Sequence, residues 1–552
     1  MARWTLQGDS DVSLVGSRVV SSLQCETLSI VQNKTPLRLS RECLLCIFCV
    51  YAFLTGPFYF NWAPVSYVFL AAGFFRGACD SGELDYSKPA DEPKCQDEEI
   101  AVHEFFIISM MCDMCFSLLA GLLLDSVGPK VTAVIGSTTL AVSWFLSGAS
   151  KHLQKSGAAT IVMSASLSAA FLPCLSIANL FPNARNSVIG LLTFFRYLSG
   201  TVPLVLKTVF FESDSVEDTR SVAYTYGTLC IGSCVFMAAC FFPYQKWQRV
   251  RALEYPRDIE TPGAAEDLPP SGIPTETPDA RNSSDTEVTT RRRGSIVKWC
   301  HNSIRRCLSA PSHSVDSLDA ANLRCDILQT IERGTTEARL LSWNDWRAFF
   351  LDASSSVFIF LCLFEALLLI SESFFKAAGR RIIPQAYETS EAINILAAFP
   401  VPLIGFLADK RGIIASMCIV NVFVLLAFIV SIIPQFPAIS VCQYLASITM
   451  AVAAPFFVTQ IYCYILQSFQ EAHMGKLIGL ASFIAGLPMV AAIFMVRAGF
   501  QKGFFDMVII CISLLGASLF LLGVIVILRM RRAAKVLAKL RQERSLQELP
   551  PI

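Results

Sequence analysis

Charge is scarce in this sequence. Only 16% of its 552 residues are Asp, Glu, Lys or Arg, against about 25% in an average soluble domain. A water-soluble protein of this length could not cover its surface with so few charges, and the mean hydropathy of +0.53 agrees. Histidine is scarcer still, at 5 residues against 41 Phe. The chain holds no H-E-x-x-H pair for a catalytic zinc and no G-x-S-x-G elbow for a hydrolase nucleophile. It holds no G-x-x-x-x-G-K-[ST] loop to cradle ATP phosphates. These absences argue against an intramembrane hydrolase and an ATP-driven pump, and no enzyme, metal or cofactor is expected. A net charge of +1 gives nucleic acid nothing to hold.

Long apolar runs fill the space that charge leaves. A helix needs about 20 mostly apolar residues to cross a bilayer. Such runs lie at 43–69, 103–124, 131–149, 157–181, 187–209 and 223–243. Six more lie at 352–375, 391–408, 413–434, 437–466, 475–497 and 505–528. Backbone groups in lipid need internal partners, so each run predicts a helix. The runs are continuous and do not alternate, which argues against an outer-membrane barrel. The expected fold class is an all-α membrane protein with 12 transmembrane helices in two six-helix halves, 43–243 and 351–528.

The remaining segments set the orientation. Most of the 45 Lys and Arg fall on the side that holds both termini and the central gap, which predicts a cytoplasmic N-terminal arm (1–42), linker (244–350) and tail (529–552). No cleavable signal peptide is visible, so the first span is expected to direct insertion. The linker stretch "PRDIETPGAAEDLPPSGIPTETPDARNSSDTEVTTRRRGS" is too polar to bury a core and reads as largely disordered. Ser295 after Arg291, Arg292 and Arg293 is kinase-site-like, although such patterns arise often by chance and a solvated basic patch is the stronger reading of the arginines. Asn33 and Asn282 head N-x-S/T triplets on the cytoplasmic side and should carry no glycan. The tail "RMRRAAKVLAKLRQERS" is basic and amphipathic, suited to an anionic leaflet. Most of the 20 cysteines lie in apolar runs, as do Cys43 and Cys46, where Cys acts as a small hydrophobe. Cys79 and Cys95 differ, because they flank an acidic loop on the oxidising side and are expected to form a disulfide.

One charged turn is written twice. Residues 121–130 read GLLLDSVGPK and residues 405–414 read GFLADKRGII. Each copy follows the second span of its half. A second echo, Ile189-Gly190-Leu191 and Ile478-Gly479-Leu480, recurs at nearly the same separation. Two halves of one plan are what a duplicated transporter shows. Gly121, Gly128, Gly405 and Gly412 permit close approach and sharp turning. Asp125 and Asp409 can face the positive end of a neighbouring helix or a basic side chain. Lys130, Lys410 and Arg411 supply the nearby bases. The reading is a gate that holds one of two states shut.

The repeated turn resembles the loop 2–3 motif of the major facilitator superfamily, G-x-x-x-D-[RK]-x-G-[RK]-[RK]. Ser126 and Pro129 depart from it in the first copy. A narrower resemblance is carried by "GPFYFNWAPVSYVFLAAGFFRGAC" (56–79) and "ANLFPNARNSVIGL" (178–191). These stretches are similar to large-neutral-amino-acid facilitators and to the apicomplexan amino acid transporters. The resemblance implies alternating-access transport of amino acids, cationic (arginine, lysine) or large neutral and aromatic, at a plasma membrane. The alternatives are transport of a sugar or organic ion, or a transport-dead nutrient sensor. Sugar facilitators usually carry a Pro-Glu-Ser-like motif after span 6, where this chain reads FFPYQKWQRV.

Residue chemistry supplies candidates for a substrate site. Charges inside a bilayer are costly and are functional candidates by default. Three fall near mid-span: Asp113, Arg196 and Glu365. Arg196 can clamp a carboxylate in bidentate fashion. Glu365 or Asp113 can take an ammonium or carry a coupling proton. The competing reading is that Arg196 pairs with an acid and locks helices together. Gly56-Pro57 and Pro64 break the first span and free backbone groups around Asn61. Asn61 can bond a substrate, while Phe60 and Trp62 can wall an apolar pocket or pack against lipid. Gly200 and Pro203 suggest a similar thin or kinked segment beside Arg196.

Overall fold

The computed structural model describes residues 35–80, 85, 87, 89, 92–149, 153–181, 183–212, 223–247, 343–396, 398–433, 439–469 and 471–547. Among the described residues every regular element is a helix. Among these residues ten helices are long and apolar enough to cross a membrane, and one pair bent by 52°, Tyr387–Leu396 with Val401–Arg411, makes an eleventh if it is one span. The expected span 43–69 is divided into α1 (Arg41–Leu54) and α2 (Trp62–Ala71), neither of which reaches spanning length alone.

The division follows from the sequence. Pro57 lacks an N–H, and Gly56 is pressed so closely on Ser199 that a Cβ there would collide with it. Pro64 lies in the first turn of α2, where no intrahelical donor is required. α3 (Gln96–Ser126) begins earlier than its apolar run because Cys95 caps it and Asp97, Glu98 and Glu99 sit in its first turn. α4 (Pro129–Ala149) and α5 (Leu153–Phe171) follow, and the chain then tightens into 3-10 helix over Leu172–Leu180. α6 (Arg185–Leu198) and α7 (Thr201–Glu212) form one span hinged near Gly200. α8 (Gly232–Phe241) closes the first half after a turn of π-helix.

Most of the 244–350 segment, Ser295 and Asn282 included, lies outside the described residues, as does Asn33. The ends that are described are ordered. Trp247 is buried against Phe48, and its carbonyl accepts a hydrogen bond from Asn179 at 2.7 Å. α9 (Trp343–Ala353) leads into the second half. There α10 (Ser356–Ala377), α11 (Gly379–Ile382), α12 (Tyr387–Leu396), α13 (Val401–Arg411) and α14 (Ile413–Ile432) precede α15 (Ile439–Ala453) and α16 (Phe457–Ser468). α17 (Met474–Gly486) and α18 (Val490–Lys502) form the next span. The last helix, α19 (Phe504–Gln547), runs 44 residues and carries most of the basic tail with it. That tail is rich in Ala, Lys, Leu and Arg, strong helix formers that give the helix no reason to stop. The halves meet where α3 lies along α17 and α6 lies along α13.

Candidate functional site

Of the three mid-span charges, two come together. Asp113 and Arg196 meet, with Arg196 Nη2 3.5 Å from Asp113 Oδ2 and both residues buried. From Ser126 to Asp113 along α3 is about 20 Å at ~1.5 Å per residue. The pair is therefore deep in the bundle. Asp113 has little capacity to spare. Tyr59, from the break in the first span, donates its hydroxyl to Oδ2, and Ser168 donates to Oδ1 at 2.5 Å. Arg196 lies over the Phe171 ring at 4.1 Å and over the Phe60 ring at 5.6 Å. Its Nε has no hydrogen-bond partner among the described residues. Burying a guanidinium is tolerable only because a carboxylate and two aromatic faces share the charge.

The second half supplies a separate acidic cluster. Glu365 is buried on α10, and Gln460 offers its amide to Oε2 at 3.5 Å. Glu365 Oε1 has no partner among the described residues. Glu372 pairs with Lys376 at 2.7 Å, one turn further along α10. Lys376 Nζ also donates to the Tyr197 hydroxyl at 3.1 Å and so crosses between the halves. Phe60 stacks on Tyr197, ring centroids 4.5 Å apart, and continues this wall. Asn61 is buried and bridges the halves, its amide donating to the Gly200 carbonyl at 3.2 Å and the Glu391 carbonyl at 3.1 Å. Trp62 packs on Phe106, and its indole N–H is unsatisfied among the described residues.

The repeated turns close one end of the bundle. Asp125 accepts the backbone N–H groups of Gly475 at 3.0 Å and Lys476 at 2.7 Å, at the start of α17. Asp409 accepts those of Asn186 at 3.0 Å and Ser187 at 2.8 Å, at the start of α6. Each carboxylate thus meets free donors at the positive end of a helix in the opposite half. The glycines make this approach possible. A Cβ on Gly121 would run into the Gly475 carbonyl, and one on Gly405 would sit 2.8 Å from the Asn186 carbonyl. Gly128 and Gly412 have φ of 88° and 92°, a backbone that side chains resist. The base that meets Asp125 is Lys246. Lys130 lies over the Tyr244 ring instead, and Lys410 over Phe406. Arg411 is exposed.

The opposite end is also closed across the halves. Arg381 grips Glu99 with two hydrogen bonds of 3.0 and 2.5 Å, Lys207 pairs with Glu391 at 2.7 Å, and Arg497 pairs with Glu104. Cys79 is bonded to Cys95 at this end, their Cα atoms 6.0 Å apart.

This plan has a name. The family model of the Major Facilitator Superfamily matches residues 101–493. The chain belongs to that superfamily. It is a multi-pass membrane protein, and as a facilitator it has relatives on two levels. It is 28% identical over 502 residues to the Aromatic and large neutral amino acid transporter 5-3 of Toxoplasma gondii, covering 90% of this chain and 86% of that one. It is 28% identical over 485 residues to Arginine transporter 1 of the same organism, covering 85% and 84%. Among solved facilitators, the human organic anion transporter MFSD10 superposes with a TM-score of 0.52 at 14% identity, covering 88% of this chain and 100% of that one. The proton:xylose symporter XylE gives 0.51 at 13% identity, over 88% of this chain and 95% of that one. These likenesses show the facilitator fold.

Sequence reasoning missed several partners at the core of this facilitator. Tyr59 and Ser168 look like ordinary span residues until the fold sets them on Asp113. Glu372 and Lys376 were findable, because a Glu-Lys pair four apart at the edge of an apolar run forms an ion pair on one helix face.

Proposed function

We propose that this chain is a secondary transporter that moves amino acids by alternating access, at a plasma membrane with both termini cytoplasmic. The observation that carries the reading is Arg196, a buried guanidinium deep in the bundle, held by Asp113 and with no hydrogen-bond partner on its Nε among the described residues. A zwitterion needs one group for its carboxylate and one for its ammonium. Arg196 takes the carboxylate. Asp113 is occupied by Tyr59, Ser168 and Arg196 and serves as the fixed counter-ion. Glu365, with an open oxygen, takes the ammonium. Phe60, Trp62 and Asn61 line the approach, the aromatics offering apolar wall and Asn61 tying the two halves. The names of the Toxoplasma relatives support amino acids as the substrate class, both aromatic or large neutral and arginine.

The Asp125 and Asp409 contacts act as the cytoplasmic latch, released in turn with the Glu99–Arg381 closure at the far end. The test is uptake of radiolabelled arginine, leucine and phenylalanine in oocytes expressing the chain, competed by all twenty amino acids and glucose. Saturable uptake competed by amino acids and not by glucose is expected. No uptake of any amino acid with the protein at the surface overturns the reading.

A further inference from the structure

The end of the bundle opposite the repeated turns holds a cavity of about 410 Å³, within the ~300–1,000 Å³ usual for small-molecule sites. Both halves line it. Tyr67, Glu92 and Glu99 come from the first, and Arg380, Arg381, Tyr387 and Glu388 from the second. Its charges are not all committed. Arg381 and Glu99 hold each other through two hydrogen bonds. Arg380 stands 3.8 Å from Glu92, beyond hydrogen-bond range, and makes no hydrogen bond among the described residues. It also lies 5.8 Å from the centroid of the Tyr67 ring. Glu388 has no hydrogen-bond or ion-pair partner among the described residues. The cavity therefore presents one guanidinium with donors to spare and two carboxylates with acceptors to spare, beside two tyrosines.

Contacts between the halves border it. Tyr67, Tyr387 and Ala63 pack together, Ser66 and Tyr387 share a 3.4 Å hydroxyl contact, and Asn61 holds the Glu391 carbonyl. Arg196, Asp113 and Glu365 are not in the lining, so the cavity is distinct from the deep cluster.

We propose that this cavity is a second, outer binding site for a free α-amino acid, filled before the halves part. The ligand carboxylate lies on Arg380, and its ammonium lies between Glu92 and Glu388. Opposite charges on facing walls select a zwitterion over a sugar or a simple anion, because neither of those satisfies both signs at once. Three carboxylates against two guanidiniums leave one negative charge in excess, which favours a ligand with a cationic side chain. The proposal deepens the amino-acid reading and rests on it.

Thiol protection tests it in the full-length chain. Pro384 lines the cavity, is exposed and has no N–H to lose. Pro384→Cys is combined with Arg196→Ala, which disables the deep site. Labelling by a charged, membrane-impermeant methanethiosulfonate is followed on intact and permeabilised cells, with the Arg196→Ala chain alone setting the background of native thiols. Arginine or phenylalanine is expected to slow labelling several-fold, and glucose is not. Adding Arg380→Gln with Glu388→Gln is expected to abolish the protection. If the parent chain transports amino acids but neither one protects Cys at 384, the outer site is refuted while the transport reading stands. Protection by a chain that carries no amino acid leaves the outer site standing and removes transport. No protection and no transport refute both.

Discussion

Asp125 on α3 caps the start of α17 through the backbone N–H of Gly475, 3.0 Å away. Gly475 belongs to the neighbourhood of the second echo, Ile478-Gly479-Leu480. Asp409 does the same at Asn186, beside the first echo, Ile189-Gly190-Leu191. The two repeated signals are therefore each other's partners, crosswise. The turn of one half grips the echo of the other, so each latch joins the halves.

Asp409→Asn should slow flux more than it changes apparent affinity. The substitution keeps the shape but removes the charge that holds two backbone donors and the Ser187 hydroxyl. A cap of this kind contributes about 1 kcal/mol, roughly a fivefold shift between the two states. Initial rates across a substrate series measure it. An unchanged maximal rate at normal surface expression would count against the latch.

Gly121→Ala should be worse than Asp409→Asn. The new methyl would strike the Gly475 carbonyl, backbone against backbone, with no flexible side chain to yield. The closed end should loosen. Thiol reagents applied from the side of the repeated turns should then reach the buried Cys463 faster than in the parent chain.

Arg196→Ala should abolish uptake, and Arg196→Lys should not restore it. Lysine keeps the charge but not the planar fork. Retained uptake in the alanine variant would make Arg196 a helix-locking residue. Asp113→Asn should act differently, lowering thermal stability by several degrees, since about 3–5 kcal/mol is at risk when a buried charge loses its partner.

Glu365→Gln should raise the KM for uptake about tenfold or more, the cost of losing a charged hydrogen bond of ~1.5–3 kcal/mol. The maximal rate should fall less. A KM that does not move would transfer the ammonium to another acid, with Glu372 the nearest along α10.

Removing the Cys79–Cys95 bond by Cys79→Ser with Cys95→Ser should destabilise the folded chain. The bond closes a loop across a separation of 16 residues, which chain entropy values at about 3 kcal/mol. Melting in detergent with and without a reductant measures the loss, and the double variant should no longer respond to the reductant.

Much of this was legible without coordinates. Continuous apolar runs with scarce charge determine helices in a bilayer, because lipid offers the backbone no other partner. The doubled turn with its glycines and aspartates determined that two like halves exist and where they bend. Gly56, Pro57 and Gly200 marked the breaks, since those residue types disrupt or thin a helix locally. Only the tertiary structure decided who meets whom. Asp113 became a counter-ion because Tyr59, Ser168 and Arg196, far apart in sequence, converge on it. Lys246 displaced Lys130 at Asp125 because the chain returns there after the sixth span. A sequence records the cost of burying each charge, but which partner lowers that cost depends on distance in space, and packing alone sets that distance.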